Sequence, residues 1–249
     1  MKIIISPAKK MNIDTDTLPV KTQPCFKKET EQILHWMQTL TYAEAKALWG
    51  CNDKIAELNY ARFSEVDLES NLTPALLSYE GIQYQYMAPK VFTQSEWGYV
   101  QEHLRILSGF YGVLKPLDGV VPYRLEMQAK ARVKGTKDLY GFWSEKLYRE
   151  IVEKDRTIIN LASKEYSKCI EKYLTEKDIF ITCIFGEWKN DKVIQKGTMA
   201  KMARGEMVRF MAENQLENPK DMQKFNRLGY HFDKELSSEK EYIFIKDKS

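Results

Sequence analysis

The chain is poor in the residues that build metal centres and redox pairs. Its four cysteines, Cys25, Cys51, Cys169 and Cys183, are scattered along 249 residues. No CxxC pair or metal knuckle results, and core thiols in a reducing compartment are expected. Three histidines, His35, His103 and His231, are equally isolated. With no HExxH and no His/Cys ligand spacing, neither a structural zinc nor a dedicated iron site is expected. Long apolar runs are missing too. The opening Met1-Lys-Ile-Ile-Ile-Ser-Pro7 holds three consecutive isoleucines, too few for a signal peptide or a membrane span. A cytoplasmic protein with no membrane partner is the expectation. Neither sign of charge dominates: 38 Lys and Arg against 35 Asp and Glu leave +3, less basic than a dedicated nucleic-acid coat. A polyanion site must therefore come from local clustering. GxSxG, GxxxxGK[ST] and GxGxxG are all absent, no cofactor is expected, and no linker or internal repeat breaks the chain.

What is present suits one large α/β domain over residues 1–249. Hydrophobic residues make up 43% and aromatics 12%, enough for a sizeable core. The pattern predicts strands over 2–6, 156–161, 178–187, 192–196, 230–232 and 241–246. Helices are expected over 29–40, 52–63, 93–107, 138–152, from 163 onward, and over 198–216. Thr41 with Glu44 reads as a capping box, and Thr73-Pro74 as a helix start with proline at the first position. The fold class is then a mixed central sheet surrounded by helices, with a largely helical insertion after the first strand.

Residues 107–127 are dense in turn chemistry and charge. Gly109, Gly112, Gly119, Pro116 and Pro122 stand among Lys115, Asp118, Arg124 and Glu126. A predicted helix running into Gly109-Phe-Tyr-Gly112 suggests a helix-hairpin-helix whose amides would meet a phosphate, although one residue too many separates the glycines and Pro116 cuts the second helix short. Arg124 and Glu126 lie in an otherwise apolar run, where charges tend to be paired and purposeful.

Four basic clusters follow from the spacing. Lys9 and Lys10 come just after the first strand, where open α/β sheets place ligands. Residues 123–137 carry five basic residues, Lys137 among them, and one acid. Ser163, Lys164 and Lys168 open a helix after a buried strand, a natural anion site. On the helix over 198–216, Lys201, Arg204 and Arg209 share one arc with Gly205, which requires a close neighbour, either a helix or a ligand. Two readings stay open. One is binding to the backbone and shape of DNA by Lys9, Lys10, Gly109, Gly112, Lys115, Arg124, Lys137, Ser163, Lys164, Lys168, Lys201, Arg204 and Arg209. The other is an enzyme acting on a nucleotide or another small anion, in a pocket that adds Ser6, Glu126 and Asn160.

Taken together, Ile5-Ser-Pro-Ala-Lys9, Leu107-Ser-Gly-Phe-Tyr-Gly-Val-Leu-Lys-Pro-Leu-Asp118, Pro122-Tyr-Arg-Leu-Glu-Met127, Lys137-Asp-Leu-Tyr-Gly-Phe-Trp143, Asn160-Leu-Ala-Ser-Lys-Glu-Tyr166, Ala203-Arg-Gly-Glu-Met-Val-Arg-Phe210 and Gly229-Tyr-His-Phe-Asp233 resemble the motifs of the bacterial YaaA family of peroxide stress resistance proteins, in the family's order. The resemblance implies a single-domain α/β fold with a basic cleft and a helix-hairpin-helix-like element. It also implies DNA binding and a role in peroxide stress tied to limiting free intracellular iron. Where the family commonly reads Ser-Pro-Ala-Lys-Thr-Leu-Asp, this chain has Lys9-Lys10-Met11-Asn12, losing the acid and gaining a base. Lys115 stands where arginine is usual, which keeps the charge but not bidentate geometry.

Overall fold

The computed structural model describes residues 1–152 and 156–247. Its strands begin with β1 (Lys2–Ile5), β2 (Lys10–Met11), β3 (Thr73–Pro74), β4 (Tyr79–Glu80), β5 (Leu104–Ser108), β6 (Gly112–Leu114) and β7 (Gly119–Val120). They continue with β8 (Thr157–Leu161), β9 (Ile179–Lys189), β10 (Lys192–Ile194), β11 (Tyr230–Phe232) and β12 (Glu241–Lys246). The helices of the first half are α1 (Lys27–Gln38), α2 (Tyr42–Trp49), α3 (Asp53–Glu65), α4 (Ala75–Ser78), α5 (Ile82–Met87) and α6 (Gln94–His103). Those of the second are α7 (Leu139–Trp143), α8 (Lys146–Ile151), α9 (Lys164–Glu171) and α10 (Gly197–Glu213).

The main sheet runs β11-β12-β9-β8-β1-β5-β6, with β10 added to β9. Its middle, from β12 to β5, is parallel, and antiparallel strands close both margins. This is the expected mixed sheet. The chain leaves β1 toward β5 on one side and leaves β8 toward β9 on the other. The loops after β1 and β8 therefore diverge and open a crevice, the switch point where ligands of parallel sheets bind. Ile3, Ile4 and Ile5 are all 0% exposed, so β1 is covered on both faces, as a central parallel strand requires. The helices α6 and α10 pack against each other and the sheet, and α8 packs on α9.

Local chemistry explains the helix starts. Thr41 and Thr93 both close full capping boxes, with Glu44 and Glu96, and Asn52 caps α3 through the Ile55 amide. Other expectations are corrected. The helix predicted over 93–107 ends at His103, and Leu104–Ser108 is a strand. Leu104 and Leu107 fit a helical stripe, but the same run supplies five buried residues that complete the ladder beside β1. Thr73–Pro74 pairs with β7 instead of starting a helix, which leaves Pro74 at the cap position of α4. The helix expected over 138–152 breaks into α7 and α8 at Ser144, whose φ is 47°. Lys10, read as loop, pairs with Glu80 across β2 and β4.

The strand assignment also removes the helix-hairpin-helix. Residues 104–114 form a β-hairpin, in which Ser108 pairs with Gly112. The amides of Phe110 and Tyr111 turn inward and donate to Ser108 Oγ at 3.2 and 2.9 Å, so they are not presented to a phosphate. The glycines serve packing. A Cβ on Gly109 would stand 2.5 Å from the Leu125 carbonyl oxygen, and one on Gly112, whose φ is +76°, would stand within 3.0 Å of the Phe26, Trp143 and Leu147 side chains.

Candidate functional site

Two serines from distant parts of the chain join the crevice. Ser6, just past β1, accepts a hydrogen bond from the Ser163 amide at 2.8 Å, and the two hydroxyls lie 3.1 Å apart. Ser163 is the N-cap residue of α9, yet its side chain makes no capping bond because it faces Ser6 instead. Tyr84 on α5 donates to the Ser6 carbonyl at 2.9 Å. Around this junction lies a cavity of about 420 Å³, within the size range of small-molecule sites.

The cavity gathers eight residues singled out from sequence: Ser6, Lys9, Lys10, Arg124, Glu126, Ser163, Lys201 and Arg204. They come from four separate segments, which the switch point and the packing of α10 on α5 bring together. Glu126 is buried at 9% exposure and lies 3.0 Å from Lys9 Nζ and 3.1 Å from Arg124 Nη2. Gly109 makes this possible, since the backbone of 125–127 passes directly over it. Gly205 has the same use on α10: a Cβ there would sit 2.1 Å from the Gln83 carbonyl oxygen. The close neighbour expected at Gly205 is helix α5, and the contact brings Arg204 to the cavity wall.

Arg204 is exceptional. Among the described residues no acidic side chain pairs with it, and burial pulls its guanidinium below the ordinary arginine value. Nearby Cys183 is pushed up to about 12 by its own burial and stays a neutral thiol, so it supplies no counter-charge. Among the described residues, five buried side-chain nitrogen or oxygen atoms have no hydrogen-bond partner. Four of them, Gln83 Nε2, Arg124 Nε, Glu126 Oε1 and Arg204 Nε, belong to residues lining this cavity, and of these Glu126 Oε1 faces Lys9 and Arg124 in ion pairs. Buried polar atoms are normally satisfied, and the described exceptions are concentrated at this cavity.

The remaining predicted residues lie elsewhere. Asn160 and Lys164 line a neighbouring groove. Asn160 is occupied structurally, accepting from the Ala162 amide and donating to Thr182 Oγ1. Lys115 borders a small cavity with Cys25 and Asp118, and Lys137 is exposed on a loop. Lys168 sits 3.9 Å above the Tyr140 ring, and Arg209 pairs with Glu213 at 2.7 Å. Gly109 and Gly112 are buried in the hairpin.

Sequence reasoning missed Gln83 and Tyr84, because α5 is too short for a periodic signal. It also passed over Glu165, whose carboxyl is held above the ordinary value by burial, with Glu126 adding to the effect. The alternation of Ser163 and Glu165 at the start of α9 was the available clue. Among the described residues, no group of three or more His, Cys, Asp or Glu is placed to hold a metal ion, and no helix is long and apolar enough to cross a membrane.

Known proteins match this sequence along nearly its whole length. The profile of the family described as "Peroxide stress protein YaaA" matches residues 1–236. A "UPF0246 protein" of Agathobacter rectalis is 59% identical, over 98% of this chain and 98% of that one. Relatives of the same description from Lachnoclostridium phytofermentans and Pediococcus pentosaceus are 55% and 54% identical, covering 100% of this chain and 98% and 99% of theirs.

Proposed function

Since the chain belongs to the family of the peroxide stress protein YaaA, we propose that it acts by capturing a small anionic ligand of nucleotide size in the cavity between Ser6 and Arg204. The observation that carries this reading is the set of three buried nitrogen atoms without a partner among the described residues, Gln83 Nε2, Arg124 Nε and Arg204 Nε, on side chains lining one cavity. A guanidinium removed from water without a partner is costly. A phosphate or carboxylate supplies the missing acceptor to Arg204 and Arg124. The carboxylate of Glu126 and the amide of Gln83 then take hydroxyl or ring-nitrogen groups of the same ligand, and Tyr84, Tyr123 and Tyr166 provide flat walls for a ring.

The test is a thermal-shift series with nucleoside monophosphates, followed by calorimetry. Ligand at 100 times its Kd stabilises by about 2.7 kcal/mol. The expected result is a rise in melting temperature that Arg204→Met and Arg124→Met abolish. Absence of a shift with every phosphorylated and carboxylated compound at millimolar concentration overturns the proposal.

Binding to DNA is the second reading. It is favoured by the exposed lysines at the same mouth, Lys9, Lys10 and Lys201, and by Lys164 beside it. Acids compensate several of them: Lys10 pairs with Glu80 at 2.8 Å, Lys164 with Glu171, and Lys9 with Glu126. The charge left for a duplex backbone is small, which is why the cavity reading stands first.

A further inference from the structure

The groove beside the site shares a wall with it. It measures about 860 Å³ and is floored by Phe180, Thr182 and Ile184 on one face of β9. Arg204 lines both spaces. So does the turn into α9, in strict alternation: Ser163 and Glu165 face the cavity, Ala162 and Lys164 the groove. The partition between the two is therefore an arginine side chain and four consecutive residues. On β9, Ile181, Cys183 and Phe185 are buried in the core, whereas Phe180 and Ile184 are only half-buried on the groove side. An unpartnered cation thus stands between a tyrosine-walled cavity and an apolar-floored groove.

We infer that the ligand carries its anion in the middle: an anionic group at Arg204 with one nucleoside-sized arm in the cavity and a second arm in the groove. This rests on the cavity reading proposed above and adds the ligand's class. A terminal phosphomonoester uses only one side of the arginine. A phosphate substituted at both ends uses both, and it places the second arm on the Phe180 and Ile184 floor. Two sources share that chemistry: a small molecule bridged by diphosphate, or the phosphodiester of a single-stranded nucleic-acid end.

Calorimetry with three probes tests the inference: thymidine monophosphate, the phosphodiester dinucleotide thymidylyl-thymidine, and a diphosphate-bridged dithymidine. One or both two-armed probes are expected to bind at least about tenfold more tightly than the monophosphate, and the tighter of the two identifies the source. Ile184→Trp, which fills the groove, is expected to erase that advantage and leave monophosphate affinity unchanged. Gln195→Trp, at an exposed rim position, repeats the test without touching the sheet. Monophosphate binding with no gain for either two-armed probe overturns this inference and leaves the cavity reading intact. An advantage that survives both tryptophans overturns it as well. Failure of all three probes to bind counts against the cavity reading itself.

Discussion

Glycine does its work here by letting backbones touch. Gly109 was legible in the sequence as a position of close approach, but the partner it approaches was not. The sequence suggests an external phosphate, whereas the structure puts the Leu125 carbonyl oxygen there. Gly109→Ala is accordingly expected to lower stability by about 1–3 kcal/mol, the usual range for overpacking, and to displace Arg124 and Glu126. Denaturant unfolding checks the first, and loss of ligand-induced stabilisation checks the second. Arg204 makes the opposite prediction. Its burial without an acid is a cost to the free protein, so Arg204→Met is expected to unfold at a temperature equal to or above that of the parent while losing ligand binding. A melting curve with and without ligand separates the two effects.

At the scale of elements, the Thr41–Glu44 capping box was read correctly, whereas the Thr73-Pro74 helix start and several boundaries failed where tertiary pairing decides. Thr41 and Glu44 act locally, so their roles follow from four residues. Leu104 to Ser108 becomes a strand only because β1, about a hundred residues away, offers a ladder. The loop entering β9 shows how such elements are anchored. Burial pushes the Asp178 carboxyl up. Hydrogen bonds from Arg156 Nε at 2.8 Å, the Thr175 amide at 2.7 Å and Tyr148 Oη at 2.8 Å outweigh that effect and hold it at about 2. A carboxyl whose folded value lies below its unfolded one stabilises the protein above the unfolded value, and this contribution is lost as pH falls through the folded one. Stability is therefore expected to drop between about pH 4 and pH 2. Asp178→Asn is expected to flatten that limb while lowering the plateau at neutral pH, measured as urea midpoints against pH.

For the whole molecule, composition gave the right fold class, and a net charge of only +3 left local clusters as the source of any basic surface. Which clusters converge was hidden, because convergence depends on strand order. Lys9, Arg124 and Arg204 meet at the switch point, and Lys115 and Lys137 do not. Ionic strength reads this arrangement directly. A protein that neutralises 6–10 duplex phosphates loses about 10³- to 10⁵-fold in affinity between 50 and 200 mM salt. With most rim lysines already paired to acids, nucleotide binding is expected to weaken by less than about tenfold over that range. Fluorescence anisotropy across salt, with a labelled nucleotide and a labelled duplex, gives both slopes. The position of β1 carries one more consequence, for the order of synthesis. Its isoleucines pair with Leu104 to Ile106 on one side and Ile159 to Leu161 on the other. This strand of three isoleucines precedes the others of the sheet in chain order and waits about a hundred residues for its first neighbour. During that interval it is an open hydrophobic edge, the kind of segment that holding chaperones shield.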